Sequence, residues 1–417
     1  MPYNLPYPIP LAPAPEAQVT KVGVKSPEDV VVVSALRTAL TKGRKGGFKD
    51  TLADQLVQYV LKATIDRTGI DPKLVQDICV GNVDAPGGLA TPARMAALAA
   101  GFPETTSVST TNRQCSSGLQ ACVTIASAIQ AGLIDIGIGA GVESMSSDYY
   151  KRDRLMSKKI AKELKSAGDC LVPMGITSEN VAEDYGLTRL AQDEFSVESH
   201  KKAAAAQAAG YFKEEIVPIK ATILDKDGEN PKEILVDQDE GIRANSSVEN
   251  LAKLKPVFKK DGSTHAGNAS QISDGAAAVL LMKRKTALAL NLPIIGKYVT
   301  ACTVGVPPHV MGIGPAYAIP VAVERAGLKL DNVDIFEINE AFASQALYTV
   351  RVLGIPKNKV NPKGGAIAIG HPLGSTGARQ VATLFPELKR TKSRVGVTSM
   401  CMGTGMGMAC VWENEQL

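Results

Sequence analysis

Histidine, aromatic side chains and long apolar runs are all scarce in this chain of 417 residues, which holds four His, one Trp and 5% aromatics. No stretch reaches the roughly 18 consecutive apolar residues of a membrane-spanning helix, and no basic n-region followed by an apolar stretch opens it. The seven cysteines are odd in number and nowhere spaced C-x-x-C. They outline neither a disulfide framework nor a metal site, and they suit a reducing compartment. With 46 basic against 42 acidic residues the net charge is +4, too balanced for a general nucleic-acid binder. A dinucleotide fingerprint, with its acid about 20 residues beyond the glycines, is missing too.

What is present is ordinary globular material: 45% hydrophobic and 21% charged residues, with 38 Gly and 24 Pro, which implies many tight turns rather than disorder. The length exceeds what one core organises, so two or three domain-sized units are expected. Residues 1–28 begin MPYNLPYPIPLAPAPEAQ, a run with six prolines, and read as a flexible arm in extended polyproline II. From Val30 the pattern becomes regular. VVVSAL reads as a buried strand, TLADQLVQYVLKATI as an amphipathic helix, DICVGNV as a strand, QACVTIASAIQAG as a helix and IDIGIGAGV as a strand covered on both faces.

Residues 146–267 change character, with charged helical segments and polar turns such as DKDGEN, and read as an insertion into an α/β core. Between 151 and 165 lie Lys151, Arg152, Arg154, Lys158, Lys159, Lys162 and Lys165 against only Asp153 and Glu163, either a solvated helix face or a surface that attracts a phosphorylated ligand. The core pattern resumes at about 268–293, which completes the first half (29–145), and residues 294–417 repeat its logic. DICVGNV, TNRQCSSGLQAC and IDIGIGAGVESM correspond to DIFEINEAF, AIAIGHPLGSTGARQ and RVGVTSMCMGTGMG. Asn82 precedes Cys115 by 33 positions, and Asn339 precedes His371 by 32. The two halves read as copies of one unit whose strand-to-helix turns face one another, where ligand sites of α/β sheets lie.

Those turns carry the reactive side chains. Cys115 opens a helix over 116–131, where free amides and the helix dipole are expected to lower its thiol pKa; the alternative is a buried packing residue, as Cys122 is read. His371, in GGAIAIGHPLG, is expected at a turn after an apolar strand, the counterpart of Cys115, and can take a thiol proton. Cys401 opens CMGTGMGM, whose glycines either bring amides close to a reacting group or cradle a phosphate. Asn339 and Glu340 end another apolar strand, as a helix cap or as a holder of a water or carbonyl group. Taken together the set argues acyl transfer through a thioester.

NRQCSSGL, NEAF, GGAIAIGHPLG and CMGTGMG, in this order and spacing, resemble the four signature loops of the thiolase family, and the likeness spans about residues 29–414. It is nearest to the fungal peroxisomal 3-ketoacyl-CoA branch. The resemblance implies a five-layered αβαβα core of two repeated halves, an inserted loop domain that binds coenzyme A, at least a homodimer, and CoA as co-substrate with no tightly bound cofactor or metal. It implies Cys115 as acylated nucleophile, His371 as base and Cys401 as acid/base. One oxyanion hole would come from His371 and a water on Asn339, the other from the amides of Cys115 and Gly403. Ser270 matches a serine near the thioester, Arg243 an arginine at the nucleotide end of CoA. Pro173, Met174 and Gly175 stand where biosynthetic acetoacetyl-CoA thiolases carry His-Met-Gly, which favours a degradative enzyme over the biosynthetic alternative. Ser375, Thr110 and Thr111 also depart from common family choices but remove no reactive group. A peroxisomal location follows from resemblance alone, since the arm lacks the relatives' N-terminal targeting pattern; the alternative is cytoplasmic.

Overall fold

The computed structural model describes residues 21–147, 156–225 and 227–417. The first part of the chain runs β1 (Val30–Thr38), β2 (Thr41–Lys42), α1 (Ala53–Thr68), β3 (Asp77–Gly81), α2 (Ala90–Ala99), β4 (Ser107–Thr111), α3 (Ser117–Gln130) and β5 (Ile136–Ser144). Then come α4 (Lys158–Glu163), α5 (Lys165–Asp169), α6 (Met174–Asp184), α7 (Arg189–Ala208), β6 (Ile216–Val217), the hairpin β7 (Ile219–Ile223) and β8 (Lys232–Val236), and α8 (Val248–Ala252). The last part holds β9 (Ser273–Lys283), α9 (Arg284–Ala289), β10 (Gly296–Gly305), α10 (Gly314–Arg325), β11 (Ile335–Ile338), α11 (Ala343–Leu353), α12 (Ala366–Ile369), α13 (Thr376–Arg390), β12 (Val395–Met402) and β13 (Met406–Asn414). The proline run through residue 20 and the basic residues Lys151, Arg152 and Arg154 lie outside the described residues.

Strand order makes the duplication visible. One half reads β4-β3-β5-β9-β1 and the other β10-β13-β12-β11, each with one parallel arm and one antiparallel arm about the same central positions. A short register, Val31 with Lys297 and Val32 with Gly296, joins the two sheets edge to edge. The alternation of side chains along each strand then sorts the core into layers. Val31 and Val33 point with α1 and α2 into one outer core, while Val30 and Val32 face α3 and α13 in the centre. On β13, Ala409 and Val411 join the α10 side, and Met408, Cys410 and Trp412 face inward. Helices, sheet, central helices, sheet and helices make five layers.

The two central helices meet through glycine. A Cβ on Gly377 would lie 2.2 Å from the Leu119 nitrogen, and one on Gly118 would lie 2.7 Å from the Gly374 oxygen, so the backbones touch where any side chain would part them. That contact sets the N-terminal ends of α3 and α13 side by side.

One local expectation changes. AIAI before His371 is a helical turn, α12, and not a strand. The Ile367 amide donates to the Glu340 carboxylate (3.2 Å) and the Gly365 amide to Ser199 Oγ (3.0 Å). These tertiary partners outweigh the strand-like run of four apolar residues.

Candidate active site

Cys115 sits on the turn between β4 and α3. Gln114 adopts the left-handed region (φ 50°) just before it. Ser117 Oγ accepts from the Arg113 amide (3.0 Å) and donates to the Gln114 carbonyl (2.6 Å). Asn112 Oδ1 accepts from the Gln114 amide (3.0 Å), and its Nδ2 donates to the Val83 carbonyl (2.9 Å). The turn is therefore braced on both sides of the half-buried thiol.

The expected low thiol pKa does not materialise. Burial pushes Cys115 up to about 11, the amides of Gly403 and of Cys115 itself pull it down, and the carboxylates of Asp84 and Glu143 push it further up. The five layers that stack around the turn outweigh a helix terminus, whose influence is confined to one turn.

Cys401 is fully buried within β12 rather than in the glycine loop, and burial, with Cys115 beside it, raises its thiol well above the ordinary value. CMGTGMG forms the hairpin turn to β13. Gly405 and Gly407 pack on backbone, their would-be Cβ atoms 2.3 Å from the Val306 oxygen and 2.1 Å from the Gly314 oxygen. Gly403 alone opens outward, with Met174 Sδ 3.5 Å from its Cβ position and Gln114 Oε1 3.6 Å, and its amide reaches the Cys115 sulfur. The glycines thus serve close packing and one amide aimed at the Cys115 sulfur rather than a phosphate cradle.

His371 lies between α12 and α13, so its turn differs from the strand-to-helix turn of Cys115. Thr376 Oγ1 gives its proton to the Pro372 carbonyl (3.1 Å) and accepts from His371 Nδ1 (2.6 Å). With Nδ1 protonated, Nε2 of the neutral ring carries the lone pair and faces Asn339 Nδ2 at 3.3 Å. Burial, with some help from Arg379, drives the imidazole down to about 3. Asn339 is fully buried after β11, and among the described residues its Oδ1 finds no hydrogen-bond partner.

The other expected residues spread around this centre. Ser270 is half-buried, and its amide donates to the Ala341 carbonyl (3.0 Å), beside Asn339. Met174 begins α6 at the glycine hairpin. Arg243 is exposed and does not join the cluster; its amide donates to His200 Nδ1 (3.2 Å). Gln271 links that segment to the centre, because its Nε2 donates to the carbonyls of Gly241, Ile367 and Ala368 and its carbonyl accepts from the His371 amide. Gln271, Thr376 and Glu143 were absent from the sequence-based set. Glu143 had a signal: it ends an apolar strand where the aligned second half has Cys401.

Among the described residues no group of three His, Cys, Asp or Glu side chains is placed to hold a metal ion, and no helix is long and apolar enough to cross a membrane. Two neighbouring thiols, a glycine amide on the Cys115 sulfur and a neutral imidazole on the turn that leads into α13 are equipped for acyl transfer through sulfur. The thiolase N-terminal domain matches residues 30–285 and the thiolase C-terminal domain residues 292–414, so the chain belongs to the thiolase family. Within that family it is 57% identical over 385 residues to the peroxisomal 3-ketoacyl-CoA thiolase of Yarrowia lipolytica, covering 92% of this chain and 93% of that protein. The crystal structure of the dimeric peroxisomal thiolase of Saccharomyces cerevisiae matches with a TM-score of 0.88 and 49% identity over 94% of this chain and 99% of that one. A second structure of that yeast's peroxisomal 3-ketoacyl-CoA thiolase, described as five-layered and built from two core domains of identical topology, matches with a TM-score of 0.77 and 46% identity over 94% and 99%.

Proposed function

We propose that this protein is a peroxisomal 3-ketoacyl-CoA thiolase of fatty-acid β-oxidation, acting as a homodimer. It cleaves 3-ketoacyl-CoA with free CoA into acetyl-CoA and a shortened acyl-CoA. The observation that carries this reading is the grouping of the Cys115 sulfur under the Gly403 amide with Cys401 beside it.

The Cys115 sulfur attacks the 3-keto carbon while its proton passes to His371 Nε2. A protonated resting thiol and a neutral imidazole are the states favoured by burial, so the proton leaves as the carbon–sulfur bond forms rather than in a standing ion pair. The amides of Cys115 and Gly403 stabilise the oxygen on the attacked carbon, by roughly 3 kcal/mol per donor in such sites. Collapse breaks the bond between C2 and C3. Its electron pair goes to acetyl-CoA as an enolate, held by His371 and by Asn339, and takes the Cys401 proton. Incoming CoA gives its thiol proton to Cys401, attacks the acyl-Cys115 thioester, and Cys115 recovers its proton from His371.

In this reading residues 146–267 form the CoA-binding loop domain between halves 29–145 (with 268–293) and 294–417, beyond an arm at 1–28. Ser270 lines the thioester, and Arg243 meets the nucleotide end of CoA. Met174 replaces no histidine at the acyl entrance, and with Pro173 in the histidine's place the site takes longer chains. Mass spectrometry of the protein mixed with short and long 3-ketoacyl-CoAs tests all of this at once. An acyl group on Cys115, released by CoA, is expected; condensation of acetyl-CoA without thiolysis of longer substrates overturns the degradative reading.

A further inference from the structure

We propose that Glu143 is a positioning residue for this reaction, a carboxylate that ties the turn carrying Cys115 to the turn carrying His371; the role in catalysis rests on the function proposed above. Glu143 lies at the end of β5 and is fully buried. The sheet registers Gly81–Gly141 and Ile338–Ser399 make Asn82 the counterpart of Asn339 and Glu143 the counterpart of Cys401. The first half thus places an acid where the second half places a reactive thiol.

Among the described residues four donors meet this carboxylate and no acceptor is hydrogen-bonded to it. Oε1 accepts from Asn82 Nδ2 (3.0 Å) and the Asp84 amide (3.3 Å), and Oε2 accepts from the Val83 amide (3.1 Å) and the Gly374 amide (3.0 Å). Such a set fits the anion, since a carboxylic acid would need somewhere to donate. Burial and the nearby Asp84 oppose the charge and push the group up to about 8. A buried charge costs stability that a packing residue would not, which points to a task beyond packing.

Both ends of the clamp lead to reacting groups. Val83 passes through Asn112 to Gln114, the residue before Cys115. Gly374 lies three residues after His371 and two before its partner Thr376. A Cβ on Gly374 would be 2.5 Å from the Val142 oxygen and 2.7 Å from Asn82 Cα, so the second-half turn is drawn onto the first-half sheet as closely as backbone permits. The clamp also sets charge: Asp84 and Glu143 are the carboxylates that raise the Cys115 thiol, while Cys401 stands beside it neutral.

The test uses the full-length protein as Glu143→Gln, which keeps shape and loses charge, and Glu143→Asp, which keeps charge and loses reach. Misplacement of reacting groups by about 1 Å costs on the order of 100-fold. Both folded variants are therefore expected to lose about 10- to 100-fold in kcat for thiolysis with KM for CoA unchanged. Alkylation of Cys115 by iodoacetamide, located by mass spectrometry above pH 8, where the Glu143 carboxyl is ionised, is expected to quicken about tenfold in Glu143→Gln, as for a thiol pKa one unit lower, and not in Glu143→Asp. A folded variant with wild-type kcat, or equal alkylation in all three proteins, overturns the proposal. If Glu143→Gln does not fold, Glu143→Asp alone decides by its kcat. The alkylation readout needs no turnover, so it separates failure of the clamp from failure of the thiolase reading.

Discussion

Each reactive side chain is defined by what its surroundings do to its proton. Cys115, with its thiol at about 11, and His371, with its imidazole at about 3, are poorly matched as a resting acid–base pair, so in the mechanism proposed above attack by sulfur and proton transfer are coupled. Replacing Cys115 with Ala removes the sulfur that the Gly403 amide reaches, and no acyl-protein adduct should form with any 3-ketoacyl-CoA; an adduct of full yield would end the nucleophile assignment. Cys401→Ala divides the reaction instead. The variant should still be acylated at Cys115 by an activated thioester, because that step needs no acid at C2, while carbon–carbon cleavage should fall by about 100-fold or more, the usual worth of a positioned acid or base. Quantifying both steps in single turnover distinguishes a lost proton donor from a collapsed site.

At the scale of elements, the contact between α3 and α13 sets side by side the helix ends whose turns carry Cys115 and His371. Gly377→Ala drives a Cβ to 2.2 Å from the Leu119 nitrogen, backbone that cannot yield as a flexible side chain can. Overpacking of this kind costs about 1–3 kcal/mol, so the urea midpoint should drop and thiolysis should fall with it as the two helix ends separate. Gly365→Ala acts on the same turn from below, where a Cβ would come within 2.3–2.6 Å of the Glu340 carboxyl group. Alternation of strands and helices was legible in the sequence because periodicity of 2 and 3.6 is written in adjacent residues, and the duplicated motifs exposed the two halves. AIAI was not legible: four apolar residues carry no period, and what makes them helical is Glu340 and Ser199, distant in sequence. The Cys115 pKa failed for a similar reason. A helix terminus is visible locally, but the depth of burial depends on layers contributed by the whole chain. Glu143 carried a signal in the alignment of the two halves, and the strand registers then made it the counterpart of Cys401.

On the scale of the whole molecule, three stretches far apart in sequence meet in a buried ionic cluster. Arg37 of β1 is bonded to Glu215 (2.8 Å) and in a fork to Asp239 (2.7 and 2.8 Å), both from the segment between β5 and β9. Lys363 from the second half donates to the other Glu215 oxygen (2.5 Å), and Thr383 of α13 donates to the first (2.9 Å). Arg37, Glu215 and Lys363 have almost no exposure. Burial works against the Glu215 charge, yet Lys363 and Arg37 prevail and hold its carboxyl below the ordinary glutamate range. Glu215→Gln keeps the volume and leaves two cations facing one carboxylate, and removing one member of a buried pair costs about 3–5 kcal/mol. The pH dependence fixes the cause. A carboxyl depressed in the native state stabilises the fold fully above its unfolded value of about 4.5, and that contribution drains away as pH falls through the lower native value. The stability gap between wild type and Glu215→Gln should therefore be widest at neutral pH and close under acid. Urea titrations across that range measure it directly, and a gap that is constant with pH would mean that shape, and not charge, is what Glu215 contributes at the meeting point of the two halves and the segment inserted between them.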